Sequence, residues 1–139
     1  AVYALPLSAR GDISDTQQIV WKYTDNGPYV ASPVLYDDLL YFTKERRGVL
    51  SCVRADTGEF QFENQRLPGF EGLYASLSAA AGKIYIVSRN GTALVLKHGP
   101  QFEVLATNKL DEGIDASPVI VGKQLLLRGQ EHLYAIAEP

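Results

Sequence analysis

The chain has 139 residues, and its 13 Lys and Arg against 16 Asp and Glu give a formal net charge of −3. Its 46% hydrophobic content is typical of one globular domain or a piece of one. The slight acidic excess argues against nucleic acid or an anionic membrane surface as a partner, because both require clustered Lys and Arg. No apolar run approaches the ~20 residues that a membrane-spanning helix requires.

Short apolar runs rich in Val, Ile, Leu, Tyr and Phe follow one another along the chain. The first are V-Y-A-L from Val2, I-V-W-K-Y from Ile19, A-S-P-V-L from Ala31, L-L-Y-F-T around Tyr41, V-L-S-C-V from Val49 and F-Q-F from Phe60. The later ones are A-S-L-S-A from Ala75, I-Y-I-V around Tyr85, A-L-V-L from Ala93, F-E-V-L from Phe102, A-S-P-V-I from Ala116, L-L-L around Leu126 and L-Y-A-I from Leu133. Turn signals such as T-G, N-G and R-G separate them, and none has a sustained helical period, so all are predicted strands.

The runs repeat at intervals of about 40–45 residues, and four strands per repeat, here termed A to D, are typical of a β-propeller blade. Residues 1–24 supply strands C and D of one blade, 28–67 and 73–110 are two full blades, and 114–139 supply strands A, B and C of another. The fold class predicted is therefore an all-β, partial β-propeller of about three four-stranded antiparallel blades. Closed propellers have about four to eight blades, so we expect a C-terminal piece of a larger propeller.

Several motifs resemble those of pyrroloquinoline-quinone-like β-propeller repeats. The stretch A-D-T-G-E-F-Q-F at 55–62 is similar to the A-x-T-G-K-x-x-W signature, with Phe62 at the tryptophan position, and Q-Q-I-V-W-K-Y keeps that tryptophan as Trp21. The third unit departs from it, reading K-H-G-P-Q-F-E-V, and keeps only Gly99. The tail from L-K-H-G-P to H-L-Y-A-I-A-E, and R-G-D-I-S from Arg10, resemble secreted bacterial PQQ-binding-like repeat proteins.

The resemblance implies the fold and leaves the activity open. Its family includes quinone-dependent alcohol dehydrogenases and the propeller lipoprotein of the outer-membrane protein assembly machinery, a non-enzymatic scaffold. The resemblance alone implies a periplasmic or secreted location, because the first residues lack the features of a signal peptide and do not indicate a compartment themselves. A fold that is shared by enzymes and non-enzymatic scaffolds does not identify the function, which must be argued from the site.

A structural role is predicted for the residues of the repeated motif. Thr57 and Gly58 turn the chain from strand C to strand D, with Gly58 supplying a positive φ or a close backbone approach. Trp21 and Phe62 are expected to pack against the adjacent blade.

No catalytic, cofactor-binding or metal-binding residues are predicted. Cys52 is the single cysteine, so the disulfide that covers the quinone in the family's enzymes cannot form within this chain, and no acidic cluster has metal-loop spacing. His98 and His132 lack a nucleophile motif beside them and are expected to be exposed turn residues. Serines that recur at one blade position, Ser32, Ser76 and Ser117, are expected to be structural hydroxyls.

One face is predicted to bind a protein or peptide, because the B–C turns and the D–A connections of a propeller lie together. The turns contribute Lys44 and several arginines, and the connections contribute aromatic and acidic residues such as Asp25, Glu71, Asp111 and Asp115. Arginine and aromatic residues in loops are typical of contact surfaces. The candidate partner-binding residues are Tyr29, Arg46, Arg47, Phe70, Tyr74, Arg89 and Arg128.

The sequence therefore favours a non-enzymatic scaffold or protein- or peptide-interaction module. The alternative is the C-terminal part of a quinone-dependent dehydrogenase, or of another enzyme, with its active site in other blades. Because an open arc leaves strand edges and apolar faces uncovered, we also expect self-association, with 19–24 of one copy beside 133–136 of another.

Overall fold

The computed structural model describes residues 1–14, 18–25, 27–44 and 48–137. These residues form thirteen strands and no helix. The strands are β1 (Val2–Ala4), β2 (Trp21–Tyr23), β3 (Val34–Tyr36), β4 (Leu39–Lys44), β5 (Val49–Arg54), β6 (Phe60–Arg66), β7 (Ser78–Ala80), β8 (Lys83–Val87), β9 (Thr92–Lys97), β10 (Val104–Lys109), β11 (Val119–Val121), β12 (Gln124–Arg128) and β13 (Leu133–Ala137). None of the described residues therefore form a helix that could cross a membrane.

The strands pair in chain order into four antiparallel sheets, which we term blades I to IV. Blade I is β1–β2, blade II is β3–β4–β5–β6, blade III is β7–β8–β9–β10 and blade IV is β11–β12–β13. The sheets do not close into a ring. The predicted fold class, an all-β chain of antiparallel propeller blades, is confirmed.

Alternating apolar residues bury both faces of the inner blades, as expected for strands that are covered on two sides. Val2 packs with Phe42 and Val53 between blades I and II. Leu50, Ile84 and their neighbours fill the largest core, between blades II and III. The core between blades III and IV is smaller, because blade IV is a sheet of three strands.

The first strands of successive blades lie next to one another, since β7 contacts both β3 and β11. A ladder of serines joins these inner strands. The backbone N–H of Ser32 donates to Oγ of Ser76 at 2.9 Å, and the N–H of Ser76 donates to Oγ of Ser117 at 2.9 Å. The structural role predicted for these recurring hydroxyls is confirmed for Ser76 and Ser117.

A candidate protein-contact face

The B–C turns and the D–A connections meet on one side of the arc. Oγ of Ser88, at the end of β8, donates to the carbonyl of Gly72 at 2.9 Å and accepts from the N–H of Glu71 at 3.1 Å. In the next blade, the N–H of Gln130 donates to the carbonyl of Gly113 at 3.2 Å. These bonds hold each turn against the connection that enters its blade.

Arg89 is the best-defined cation of this face. Its Nε and Nη2 donate to the carboxylate of Asp115 at 2.7 and 3.4 Å, and its guanidinium lies 4.4 Å from the ring centroid of Tyr74. The side chains of Arg89 and Asp115 are both nearly half exposed. Two anchors, one ionic and one aromatic, hold the guanidinium in a fixed place beside solvent.

The other predicted contact residues are spread over different loops. Arg128, which was also predicted in a turn, is instead the last residue of β12, and it donates to the carbonyls of Gly129 and His132. Phe70 packs beside Gly48 and the core between blades II and III, and Tyr29 is exposed. The structure thus brings together Arg89 and Tyr74 from the predicted set.

Two of the predicted arginines, Arg46 and Arg47, lie outside the described residues. Lys44, which was also placed in that turn, is instead the last residue of β4 and is buried. Its Nζ is 3.3 Å from Oε1 of Glu63 and 4.8 Å from the ring centroid of Tyr23. The prediction of a turn position was wrong because β4 extends through this residue, and the long side chain can bury its stem while its charge is paired.

Glu112, in the connection between β10 and β11, was not singled out from the sequence. Its carboxylate accepts from the N–H groups of Glu131 at 2.6 Å and of His132 at 3.2 Å, from Nδ1 of His132 at 3.0 Å and from the hydroxyl of Tyr134 at 2.6 Å. These donors lower the pKa of Glu112 to about 2, and the side chain is only 12% exposed. His132 itself is exposed, as predicted.

The repeat explains why Glu112 turns inward. Gly129 follows β12 in the position that Ser88 holds after β8, and a Cβ at Gly129 would lie 2.3 Å from the carboxyl carbon of Glu112. In blade III, the Ser88 hydroxyl anchors the connection; in blade IV, the missing side chain leaves room for a carboxylate. The signal in the sequence was the E-G pair, Glu71-Gly72, that returns at Glu112.

His98 lies at the opposite end of the blades, where A–B and C–D turns meet, and it is not an exposed turn residue as predicted. Its side chain is 17% exposed and lies between blades II and III. Nδ1 is 2.9 Å from the hydroxyl of Tyr41 and Nε2 is 3.3 Å from the carboxylate of Asp37. The ring of Tyr36 packs edge-on against it. The prediction failed because the partners are distant in sequence.

The motif residues join neighbouring blades. Nε1 of Trp21 donates to the carbonyl of Ala55 at 2.8 Å, and the indole lies so close to Gly58 that a Cβ there would approach the ring within 2.7 Å. Gly58 has φ +73° and ends the turn in which Thr57 Oγ1 accepts from the N–H of Glu59. Phe62 packs between the rings of Tyr41, in its own blade, and Phe102, at the start of the last strand of blade III.

An apolar groove of about 760 Å³ runs between blades III and IV, with Ile86 and Leu94 on one wall and Leu125 and Ile136 on the other. Asn108 of β10, the outer strand of blade III, also lines it. Within the described ranges, no three His, Cys, Asp or Glu side chains are grouped so as to hold a metal ion. Cys52 is a buried free cysteine, and burial raises the pKa of its thiol to about 12.

No protein-family profile matches the chain, and no curated protein matches it in sequence. Solved structures do match it. BamB from Moraxella catarrhalis has a TM-score of 0.68 at 15% identity over 86% of this chain and 36% of its own. A europium-containing methanol dehydrogenase has a TM-score of 0.64 at 15% identity over 84% of this chain and 24% of its own.

A third match is the quinohemoprotein alcohol dehydrogenase ADHIIG from Pseudomonas putida HK5, with a TM-score of 0.60 at 14% identity over 84% of this chain and 20% of its own. The chain thus spans about a third of BamB and about a quarter or less of the two dehydrogenases. At such identities the likeness concerns the fold alone. Together with the four antiparallel sheets, it shows that this chain has the fold of PQQ-like β-propeller repeats.

Proposed function

We propose that this chain is a non-enzymatic β-propeller module of a periplasmic or secreted protein, and that it binds a protein or peptide through the face built from Arg89, Tyr74 and Arg128. The observation that carries the proposal is the anchored guanidinium of Arg89. It is fixed by Asp115 and Tyr74 and still nearly half exposed, so little side-chain entropy remains to be lost when a partner binds.

The ligand class proposed is an extended or acidic peptide. A guanidinium recognises a carboxylate through paired hydrogen bonds, and a ring beside it can stack on a peptide group or a second ring. The sequence has no Gly-rich phosphate loop next to these arginines, which argues against a nucleotide. The open ends of the arc are the second proposed contact surface.

The test compares arginine variants on the two ends of the blades. Labelled peptides of alternating Glu and Tyr, with Gln and Tyr peptides as neutral controls, are titrated by fluorescence anisotropy. Arg89→Ala with Arg128→Ala should weaken binding of the acidic peptide at least tenfold. The matched control is Arg54→Ala, because Arg54 is also exposed and paired with carboxylates, those of Asp38 and Asp56, at the opposite end.

Binding that is equal for acidic and neutral peptides, or equal losses from both sets of variants, would contradict the peptide class. Circular dichroism of each variant checks that the fold is retained, since the changed side chains are all partly exposed.

The second candidate is a part of a quinone-dependent dehydrogenase, which the likeness to two dehydrogenases favours. The chain contains a single tryptophan, Trp21, whose fluorescence reports a nearby quinone. We expect no saturable quenching by micromolar pyrroloquinoline quinone, with or without Ca²⁺. Saturable quenching would replace the scaffold proposal with this one.

A further inference from the structure

Glu112 and His132 form a pair on the contact face that the proposed function does not use. The carboxylate of Glu112 lies 3.0 Å from Nδ1 of His132. The side chain of Glu112 is 12% exposed, whereas that of His132 is 67% exposed. The hydroxyl of Tyr134 and the N–H of Glu131 donate to the same carboxylate, each at 2.6 Å. A largely covered carboxylate therefore holds an exposed imidazole in one orientation.

This pairing determines which ring nitrogen carries a proton. The N–H of Glu131 and the hydroxyl of Tyr134, together with His132, lower the pKa of Glu112 to about 2, so its carboxylate is ionised at neutral pH. An ionised carboxylate only accepts hydrogen bonds, so Nδ1 of His132 must be the donor. Nε2 is then the atom that gains or loses a proton. Within the described ranges, no residue forms a hydrogen bond with Nε2.

One short connection, at the junction of blades III and IV, holds both this imidazole and the guanidinium of Arg89. Glu112 binds the imidazole, and Asp115, three residues later, accepts from Nε of Arg89 at 2.7 Å. Between them, Ile114 is fully buried in the core between the two blades, which fixes the connection. Three peptide steps span at most about 11 Å. The two anchored groups therefore belong to one continuous surface.

The charges around His132 determine what it can bind. Arg128, at the end of β12, donates to the carbonyl of His132 at 3.3 Å. The charges of Asp111 and Glu131 act on the neighbouring Tyr134. A protonated imidazole adds a cation and an N–H donor to this surface, whereas a neutral imidazole presents a lone pair at Nε2. Its protonation therefore changes how the surface interacts with a carboxylate.

We propose that His132 is a second anchor for the carboxylates of the acidic peptide, and that it strengthens binding at this face in mildly acidic solution. The inference rests on the proposed function, because it assigns a residue and a regulation to the same face. The protonated Nε2 donates to one carboxylate of the peptide while Arg89 holds another. Carboxylates on alternate residues of an extended peptide lie about 7 Å apart, which fits two anchors held by one short connection. Loss of the proton removes the donor at His132 and leaves the contact with Arg89 unchanged.

The test is the pH dependence of peptide binding. The affinity for the peptide of alternating Glu and Tyr is measured by fluorescence anisotropy from pH 5.5 to pH 8, where its glutamates remain largely ionised. The parent chain should bind about fivefold more tightly at pH 5.5 than at pH 8, the size expected for one exposed charge pair. His132→Gln should bind equally at both pH values, with the affinity that the parent has at pH 8.

The matched control is His98→Gln. The chain contains two histidines, and His98 lies between blades II and III at the opposite end of the blades. This variant should keep the fivefold change in affinity between pH 5.5 and pH 8. The neutral peptide of Gln and Tyr should show no change in affinity over the same range. Circular dichroism of both histidine variants checks that the fold is retained.

A second measurement needs no peptide and tests the positioning role of Glu112. At pH 8, the ¹⁵N chemical shifts of the imidazole should show that neutral His132 carries its proton on Nδ1. In Glu112→Gln the proton should be shared between the two ring nitrogens, because an amide can donate as well as accept.

The outcomes separate this inference from the proposed function. Binding that requires Arg89 but does not change with pH, or a pH dependence that persists in His132→Gln, would overturn the inference and leave the proposed function intact. A neutral ring with its proton on Nε2 would also overturn the inference. No binding of the acidic peptide at any pH would overturn the proposed function and this inference together.

Discussion

The contact between Gly58 and Trp21 makes the junction of blades I and II testable by adding one methyl group. In Gly58→Ala the new Cβ would lie 2.7 Å from two ring atoms of Trp21, closer than carbon atoms can approach without movement. The residue also has φ +73°, where an L side chain costs about 1–2 kcal/mol. Crowding in a packed interface adds roughly 1–3 kcal/mol, so the expected loss is about 2–5 kcal/mol.

The chain offers a matched control that isolates the crowding. Gly82 has φ +70°, and a Cβ there meets nothing within 4 Å. Gly82→Ala therefore carries the same backbone strain and the same entropy change in the unfolded chain. We expect it to cost only about 1–2 kcal/mol. The difference between the two losses in unfolding free energy measures the cost of displacing Trp21.

Urea unfolding followed by far-ultraviolet circular dichroism measures both free energies, and a double-mutant cycle assigns the difference. In the Trp21→Ala background, Gly58→Ala should cost no more than Gly82→Ala, because the ring that it meets has gone. The coupling between Gly58 and Trp21 should then be about 1–3 kcal/mol. Equal losses from the two glycine variants in the parent chain would refute the contact.

Three further outcomes are expected. Because the pKa of Glu112 is lowered from 4.5 to about 2, its stabilising effect is complete above about pH 4.5 and is lost as the pH falls toward 2. Between pH 5 and pH 2, the melting temperature should therefore fall less for Glu112→Gln than for the parent chain. Ser76→Ala removes the acceptor of the Ser32 N–H and should lower the free energy of unfolding in urea by about 0.5–1 kcal/mol. An unchanged free energy would show that the bond does not stabilise the fold. His98→Ala removes the bond to Tyr41 across blades II and III and should cost about 1–2 kcal/mol, while an unchanged midpoint would show that the ring is dispensable.

The fold could be predicted from the sequence because its signals are local. Alternating apolar residues and Gly-containing turns define each strand within a few residues, and the recurrence from Ala31 to Ala75 and Ala116 joins strands into blades. The exact ends of the strands could not be predicted in the same way: Lys44 was predicted in a turn, whereas its pairing with Val49 extends β4 to this residue.

The side-chain network could not be predicted, because it depends on residues that are distant in sequence. The bond between Arg89 and Asp115 spans two turns of different blades, and His98 meets Tyr41 across a blade interface. A turn histidine is exposed unless a neighbouring sheet covers it, and the sequence gives no measure of how blades are rotated against each other. The contact face was therefore predicted as a set of loops, without the pairing that fixes Arg89.

Neighbouring blades anchor equivalent loops with different chemistry, and this difference has a consequence for acid stability. Ser88 holds the connection of blade III through a hydroxyl, which does not titrate. In blade IV, Gly129 replaces that residue and Glu112 holds the turn through four bonds that need its ionised carboxylate. Protonation removes acceptor capacity from this carboxylate and leaves the Ser88 bonds unchanged. Acid should therefore loosen the loops of blade IV before those of blade III.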